Sequence, residues 1–265
     1  MSSDNPPYFD SCTHPTLNGE WTNGRKGLSF EELASTKVDV PGYNALAIGL
    51  PGVGEYEHET FKRECDLWGF EGIAAMTTVS DGQLEREFNT IVELGFRGVK
   101  VHPRLLTRNT DLSYLGKIFS LCHKNGLVCL LCTYETDQPG RLPSQDPFYQ
   151  VCDALNEVPE TRLILMHGGG PRLLQFAGLV RHSESILLDL SFTVVDYMTV
   201  SLRPLVRELF LNLDRRLCVG TDSPEFKATD VLRTVREIAI GVDTTKVHNV
   251  LAGNLHRFFP RRLSP

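Results

Sequence analysis

Residues suited to metal binding or acid–base chemistry stand where short apolar runs of this chain end. Cys12 and His14 end the first such run, His167 ends the sixth, and Asp222 lies near the end of the eighth. Thiolate, imidazole and carboxylate groups are the ligands that zinc takes in proteins. A bound metal acidifies water, and a nearby carboxylate can accept the proton. Because polar groups are costly to bury without a purpose, the pattern indicates an enzyme.

Eight apolar runs are near-continuous rather than alternating, which is typical of parallel strands that helices cover. The predicted strands are Tyr8–His14, Asn44–Pro51, Gly72–Thr78, Gly98–Pro103, Leu127–Tyr134, Arg162–Gly168, Ile186–Phe192 and Leu217–Pro224. Eight such units with right-handed crossovers predict a (β/α)₈ TIM barrel, an α/β fold, as one domain spanning residues 1–265. An open doubly wound sheet is the alternative, but no Gly-x-Gly-x-x-Gly follows the first strand.

Stretches with helical periodicity separate most of the predicted strands. The predicted helices are Asp81–Leu94, Thr110–Lys124, Pro147–Val158, Pro171–His182, Val195–Asp214, Thr229–Ile240 and Thr245–Phe259. The longest loops, Asn18–Gly27 and Glu135–Asp146, follow the first and fifth strands. Both are expected on the face of the barrel where active sites lie, and either could form a lid.

Alternation along the strands predicts which side chains meet. Asp10, Cys12 and His14 are expected to share one face of the first strand, and Gly220 and Asp222 one face of the eighth. If these faces point into the barrel, thiol, imidazole and carboxylate groups meet at its C-terminal rim.

Cationic side chains follow the same strand ends. Lys100 and His102 alternate along the fourth strand, and Arg104 comes two residues later. Arg172 follows Gly168-Gly169-Gly170-Pro171 at a predicted helix start, where backbone N–H groups favour anions. We predict that Lys100, His102, Arg104 and Arg172 bind a carboxylate or phosphate of the substrate. For Lys100, an ion pair inside the barrel is an equally open alternative.

The composition limits the possible binding partners and the cellular compartment of the protein. The 265 residues carry a net charge of −6 and no basic block, so we expect no nucleic-acid partner. No apolar stretch approaches the roughly 20 residues that cross a bilayer, and the N-terminus has no signal-peptide pattern. Seven cysteines, an odd number in which Cys129-x-x-Cys132 has no second pair of the same spacing, favour a reducing cytoplasm.

Five short motifs, in this order and spacing, resemble the amidohydrolase superfamily, and in particular the amidohydrolase-related group that includes aminocarboxymuconate-semialdehyde decarboxylase. The resemblance covers nearly all of residues 8–259. The motifs are Asp10-x-x-x-His14, Gly98-x-Lys100-x-His102-Pro103, His167-Gly-Gly, Gly220-Thr-Asp222-x-Pro224 and Asn254-Leu-His-Arg-Phe258.

The resemblance implies a metal site with two departures from the family pattern. The first strand of the family usually reads His-x-His, but here Cys12 replaces the first histidine and His14 keeps the second. Cys132 stands where the fifth strand usually offers another histidine. One interpretation is a zinc site of Cys12, His14, Cys132 and Asp222, since thiolate is a good zinc ligand. The other is a lost or weakened metal, with the cysteines packed as small apolar residues.

The resemblance also implies the chemistry. We expect hydrolysis of a C–N or C–O bond (amide, lactone or ester) in a small anionic metabolite, with Asp222 accepting the proton of water and His167 stabilising or protonating the oxyanion. Non-oxidative decarboxylation of a small carboxylated substrate is the second hypothesis, and a metal-free or degenerate barrel is the third. Barrels of this group also suggest a homodimer that pairs through outer helices.

Overall fold

Parallel strands follow one another around the sheet in sequence order. The computed structural model describes residues 7–106, 112–134, 146–196 and 202–260. Within these ranges eight strands form one parallel sheet, in which neighbours in sequence are neighbours in space. They are β1 (Tyr8–Thr13), β2 (Tyr43–Ile48), β3 (Glu71–Ala75), β4 (Gly98–Val101), β5 (Val128–Cys132), β6 (Leu163–Met166), β7 (Ile186–Asp189) and β8 (Leu217–Cys218).

The sheet closes on itself where β1 meets the segment that continues from β8. Ser11 N donates to Val219 O at 3.3 Å, and His14 N donates to Ser223 O at 2.9 Å. Thr13 and Ser223 form a parallel bridge between these two hydrogen bonds. The predicted (β/α)₈ barrel is therefore confirmed, and its closure brings residues from the two ends of the chain side by side.

Helices cover the outside of the barrel. They are α1 (Phe30–Asp39), α2 (His58–Trp68), α3 (Asp81–Glu93), α4 (Pro103–Leu106), α5 (Leu115–Asn125), α6 (Pro147–Glu157), α7 (Leu173–Arg181), α8 (Leu202–Asn212), α9 (Ala228–Ile238), α10 (Thr244–His248) and α11 (Asn254–Phe258). A π-helical turn, Asn249–Gly253, joins the last two into one continuous helix. Two short strands, Pro15–Thr16 and Leu28–Ser29, pair with each other after β1. None of the helices in the described ranges is long and apolar enough to cross a membrane.

The predicted strands agree with the observed ones to within one residue at their N-terminal ends, and the observed strands end sooner. Three helices were missing from the prediction, α1, α2 and the short α4. Helix α1 buries only Phe30 and Leu33, so its hydrophobic period is weak, but a capping box of Ser29 and Glu32 starts it. Both ends of this capping motif are visible in the sequence.

Some predicted helix boundaries were wrong or fall outside the description. The prediction Pro171–His182 began too early, because Gly168, Gly169 and Gly170 have positive φ angles and the regular helix starts at Leu173. Val195 lies in a turn, and residues 197–201 lie outside the described ranges, as do Thr110 and residues 135–145 of the predicted loop.

The core has an inner and an outer layer. Inside the barrel, side chains such as Leu46, Ile73 and Ile164 fill the interior. At the start of β1, Phe9 packs 6.5 Å from Phe259, centroid to centroid, so the C-terminal helix covers this end. The outer layer lies between strands and helices and contains most of the buried aromatic rings. Catalytic groups are consequently confined to the opposite, C-terminal rim.

Candidate metal centre and active site

A β-bulge in β1 aims the first candidate ligands. The register shifts between Asp10 and Thr13, so strict alternation fails there. Asp10 faces outward with Ala45 and accepts hydrogen bonds from Tyr43 Oη at 2.9 Å and Thr221 N at 2.9 Å. Burial raises the pKa of Asp10 to about 7, although these hydrogen bonds oppose the shift. The prediction that Asp10 shares a face with Cys12 was therefore wrong, and Asp10 supports the rim from behind.

Three donor atoms converge at the seam between β1 and β8. Cys12 Sγ lies 3.5 Å from His14 Nε2 and 3.1 Å from Asp222 Oδ1. His14 Nε2 lies 3.3 Å from the same Asp222 oxygen. The three ligand atoms all fall within 4.8 Å of one another. Cys12 and His14 are buried, and Asp222 is largely so.

The His14 ring is held in the orientation that a metal ligand requires. His14 Nδ1 lies 3.1 Å from the carbonyl oxygen of Ile48 on β2. Because a carbonyl only accepts, Nδ1 carries the proton and Nε2 presents its lone pair to Cys12 and Asp222. Burial lowers the pKa of His14, which favours the neutral, ligating form. Second partners of this kind commonly orient metal-bound histidines.

The donor set fits a divalent metal such as zinc. Donors of a tetrahedral zinc site, with Zn–N of about 2.0–2.1 Å and Zn–S of about 2.3 Å, lie about 3.3–3.7 Å apart. The separations here, 3.1 to 3.5 Å, are close to that range. Burial and the Asp222 carboxylate raise the pKa of the Cys12 thiol, but a thiol that coordinates a metal is deprotonated. Three protein ligands leave a fourth position open, as catalytic zinc sites do.

Asp222 is a carboxylate surrounded by histidines. Burial raises its pKa, but the charge of the facing His167 opposes burial, and the pKa is held well below the usual range. Asp222 also has a left-handed backbone, with φ of 51°. His167 and Phe192, which follow β6 and β7, share this conformation with φ of 67° and 66°. Unfavourable backbone conformations at three adjacent strand ends are typical of functional sites.

Lys100 lies inside the barrel with its charge unmatched. The side chain projects from β4, is 1% exposed, and its Nζ has no hydrogen-bond partner among the described residues. Its charge is close enough to influence the pKa values of Cys12, His14 and His167. A buried ammonium group without a partner is costly, so this position is suited to an anion.

Cys132 belongs to a different cluster from Cys12. It is buried at the end of β5 and interacts with the side chains of His102 and His167, whereas the three-ligand group found among the described residues does not include it. Burial raises the pKa of Cys132, but the two histidines outweigh burial and hold it well below the usual value. Arg104 stacks on Tyr134, 4.9 Å from the ring centroid, and its Nη2 lies 3.9 Å from Cys132 Sγ.

Family membership follows from a sequence model. The amidohydrolase family model matches residues 69–261, well over half of the chain. The chain belongs to the amidohydrolase family. The match begins after β1 and β2, so Cys12 and His14 precede it, whereas Cys132, His167 and Asp222 lie within it. The amidohydrolase family consists of enzymes that are generally metal-dependent. None of the curated proteins matches the sequence significantly.

Solved structures share the fold of this amidohydrolase at low identity. An uncharacterised TIM-barrel protein from Bordetella bronchiseptica has a TM-score of 0.77 at 15% identity, covering 96% of this chain and 98% of its own. A probable 2-pyrone-4,6-dicarboxylic acid hydrolase from Acinetobacter baumannii, with citric acid bound, has a TM-score of 0.68 at 15% identity. The alignment covers 96% of this chain and 99% of the hydrolase. A dihydroxybenzoic acid decarboxylase from Polaromonas, with manganese and an inhibitor bound, has a TM-score of 0.68 at 10% identity. The alignment covers 96% of this chain and 97% of the decarboxylase.

Arg172 forms an ion pair and is not among the three converging donor residues. Its Nη1 lies 2.7 and 2.8 Å from the two carboxylate oxygens of Asp146, the residue that caps α6. This hydrogen bond holds the pKa of Asp146 below its usual value. The predicted role of Arg172 in substrate binding remains a prediction, since the ion pair occupies the guanidinium.

Sequence reasoning missed the buried polar groups beside His167. Asp189 ends β7 and accepts a hydrogen bond from His167 N at 3.0 Å, and it also accepts from the Ser11 and Ser191 hydroxyls. Ser191 Oγ lies 3.1 Å from His167 Nδ1. The signal was present, because Asp189 and Ser191 interrupt the seventh apolar run as the other site residues interrupt theirs.

Proposed function

We propose that this amidohydrolase hydrolyses a C–N or C–O bond of a small, anionic substrate with a divalent metal, zinc in the first instance, held by Cys12, His14 and Asp222. The observation that carries the proposal is the convergence of these three donor atoms with His14 fixed in its ligating orientation. The donor types and their separations favour zinc, although the family relationship alone does not select a metal.

The chemistry divides between the metal and the side chains. A divalent ion at this position would acidify water and polarise the substrate carbonyl. Asp222, which its depressed pKa keeps ionised at neutral pH, is placed to accept the proton that the attacking water loses. His167 is placed to donate a proton to the developing oxyanion or leaving group, and Asp222 and Cys132, which outweigh burial and raise its pKa, favour the protonated form.

Lys100 is the residue that indicates an anionic substrate. Its buried Nζ, next to Cys12 and His14, would pair with a carboxylate or an oxyanion of the substrate. His102 and Arg104 lie on the same side as Cys132 and offer further polar contacts. An anionic metabolite placed there would have its reactive carbonyl near the three converging donors.

Metal analysis of the wild type and two variants tests the proposal. Protein purified without added metal or a metal-binding tag should contain about one equivalent of divalent ion by plasma mass spectrometry. His14→Ala should lose the ion. Asp222→Asn should keep part of the metal but lose turnover, since the amide cannot accept the proton. Wild-type protein that stays free of metal after zinc addition would contradict the proposal and favour a metal-free or degenerate barrel.

Decarboxylation is the second candidate function, and two observations favour it. A buried, unmatched Lys100 suits a carboxylated substrate, and the manganese-bound decarboxylase shares the fold. In that reaction the C–C bond breaks, CO₂ leaves, and the carbon takes up a proton. Incubation with 2-pyrone-4,6-dicarboxylate and with a dihydroxybenzoate in ¹⁸O-labelled water distinguishes the two. Hydrolysis incorporates ¹⁸O into the organic product, whereas decarboxylation releases CO₂ and leaves that product without label.

The thiols support a reducing compartment. All seven cysteines are free, and only Cys152 is not fully buried. Unpaired thiols persist in the cytoplasm, where we place the protein. Pairing of two barrels through outer helices stays a proposal, which sedimentation would test.

A further inference from the structure

A hydrogen-bonded chain behind His167 runs through Ser191 to Asp189. Asp189, buried at the end of β7, receives the backbone N–H of His167 at 3.0 Å. The Ser191 hydroxyl donates to the same carboxylate oxygen, Oδ2, and the Ser11 hydroxyl donates to the other oxygen, Oδ1. All these side chains are buried in the barrel, so water does not compete for them.

The direction of these hydrogen bonds determines the proton position on His167. An ionised carboxylate only accepts, so the single proton of the Ser191 hydroxyl points to Asp189. Ser191 Oγ then offers only lone pairs to His167 Nδ1, 3.1 Å away. Nδ1 must therefore carry a proton, and Nε2 is the nitrogen left for the active-site side, where Cys132 and Asp222 influence this ring.

The backbone of His167 is fixed as well as its ring. Thr193 Oγ1 donates to His167 O at 2.6 Å, while Asp189 holds His167 N. Together these contacts stabilise the left-handed φ of 67° at His167. The ring therefore has little freedom to turn and exchange the roles of its two nitrogens.

We propose that Ser191, oriented by Asp189, is a positioning residue that keeps a proton on Nδ1 of His167, so that the proton His167 exchanges during catalysis is the one on Nε2. The catalytic part of this inference rests on the proposed function. The tautomer part does not, because it concerns the resting protein. If Ser191 only filled space, removal of its hydroxyl would not change the tautomer of His167.

Nitrogen NMR of ¹⁵N-histidine-labelled protein tests the tautomer directly. In buffer alkaline enough to exceed the raised pKa of His167, two-bond ¹H–¹⁵N correlations show which nitrogen carries the remaining proton. The His167 signal is assigned by its loss in His167→Gln. Wild-type His167 is expected in the Nδ1–H form. A wild-type Nε2–H form overturns the proposal without any further variant.

Three serine variants supply the matched comparison. Ser191→Ala removes the acceptor, so His167 should shift towards the Nε2–H form. Ser11→Ala removes the other hydroxyl on Asp189 but does not touch the ring, so the Nδ1–H form should persist. Ser191→Thr keeps a hydroxyl and should restore the wild-type tautomer. An unchanged tautomer in Ser191→Ala, or an equal change in Ser11→Ala, overturns the proposal.

Turnover provides the second readout. With any substrate that the wild type converts, Ser191→Ala should lower kcat by about 10- to 100-fold, the usual cost of losing such a partner, with little change in KM. A changed tautomer with unchanged kcat overturns the catalytic part. Failure of the proposed function is recognised separately, since wild-type protein would then convert no substrate while the NMR result still stands or falls by itself.

Discussion

Cys12 Sγ lies 3.1 Å from Asp222 Oδ1 across the seam that closes the barrel, although the two residues are 210 positions apart in the chain. The contact exists because β1 and the segment after β8 are neighbours, joined by the hydrogen bond from His14 N to Ser223 O. A metal bound at Cys12, His14 and Asp222 would therefore fasten the first and last strands of the barrel together. Metal binding and barrel closure are expected to depend on each other.

Cobalt substitution separates the two cysteines that stand in place of family histidines. Co²⁺ bound to a thiolate gives a near-ultraviolet charge-transfer band. We expect this band in wild-type protein and its loss in Cys12→Ser, because Cys12 belongs to the three-ligand group. The matched variant Cys132→Ser should keep the band, because Cys132 lies with His102 and His167.

The reverse pattern would revise the ligand set. Loss of the band in Cys132→Ser with its persistence in Cys12→Ser would make Cys132 the thiolate ligand. Loss in both variants would restore the four-ligand site that the family resemblance implies. Cys12→His should bind metal at least as tightly as wild type, because imidazole is also a good zinc ligand and the family has histidine there.

The stability contributed by the Asp146–Arg172 ion pair is expected to depend on pH. Hydrogen bonding from Arg172 lowers the pKa of Asp146, with burial opposing and the Phe148 N–H assisting. A carboxylate with a depressed folded-state pKa stabilises the fold above its unfolded pKa, near 3.8. That stability is lost as the pH falls through the folded value. Because the pair is partly exposed, its contribution is expected to be about 0–1 kcal/mol.

Arg172→Ala should raise the pKa of Asp146 towards its ordinary value, as measured by carboxyl-carbon NMR titration. Arg181 lies in the last turn of α7, the helix that begins directly after Arg172. Arg181→Ala is the matched control and should leave the pKa of Asp146 unchanged. If Arg172→Ala leaves the Asp146 titration unchanged but raises the KM for an anionic substrate, the guanidinium serves the substrate, as the sequence suggested.

Much of the fold could be predicted because apolar runs and strand ends are local signals. The eight runs located the strands, and the residues that end them, His14, His167 and Asp222, lie at one rim. It was harder to predict which side chains point towards the barrel axis. Alternation placed Asp10 with Cys12, but the bulge in β1 breaks the period of two, and nothing in Asp10-Ser-Cys-Thr marks a bulge.

Roles that depend on distant partners could not be predicted from local patterns. Arg172 looked like an anion contact at a helix start, but its partner Asp146 comes from another unit of the barrel. The sequence resemblance gave Cys12 and Cys132 the same role, as replacements for family histidines, and only barrel geometry separates their clusters. Ser191 is visible in the sequence as a polar residue that interrupts an apolar run, but its contact with His167 depends on the fold.

Asn254, which opens the last family motif, is predicted to be structural. Its Nδ2 donates to the carbonyl oxygens of Asp214 and Leu217, both at 2.6 Å, and so ties the C-terminal helix to β8. Asn254→Ala leaves these buried acceptors unpaired, and we expect the free energy of unfolding to fall by about 1–3 kcal/mol in urea denaturation. Asn249→Ala, which loses one half-buried contact with the Asp214 carboxylate, should cost less. Equal costs would contradict this assignment.

Gly220 is predicted to be required for the metal site because the two seam strands approach closely there. A Cβ atom at Gly220 would lie 2.5 Å from Cys12 N, 2.8 Å from Cys12 Cβ and 2.8 Å from Ser11 Oγ. Since backbone cannot give way as a flexible side chain does, Gly220→Ala must displace β1. We expect a loss of stability of about 1–3 kcal/mol, typical of overpacking, together with weaker zinc binding in competition with a chelating dye.

Gly178→Ala is the matched control for Gly220→Ala. Gly178 lies in α7, and a Cβ there would meet no atom within 4 Å. Alanine should stabilise this helix by about 0.5–1 kcal/mol and leave zinc binding unchanged. If Gly220→Ala binds zinc as tightly as wild type, the ligands do not depend on the seam. The site would then have to be built from the cluster around Cys132, with Cys12 reduced to packing.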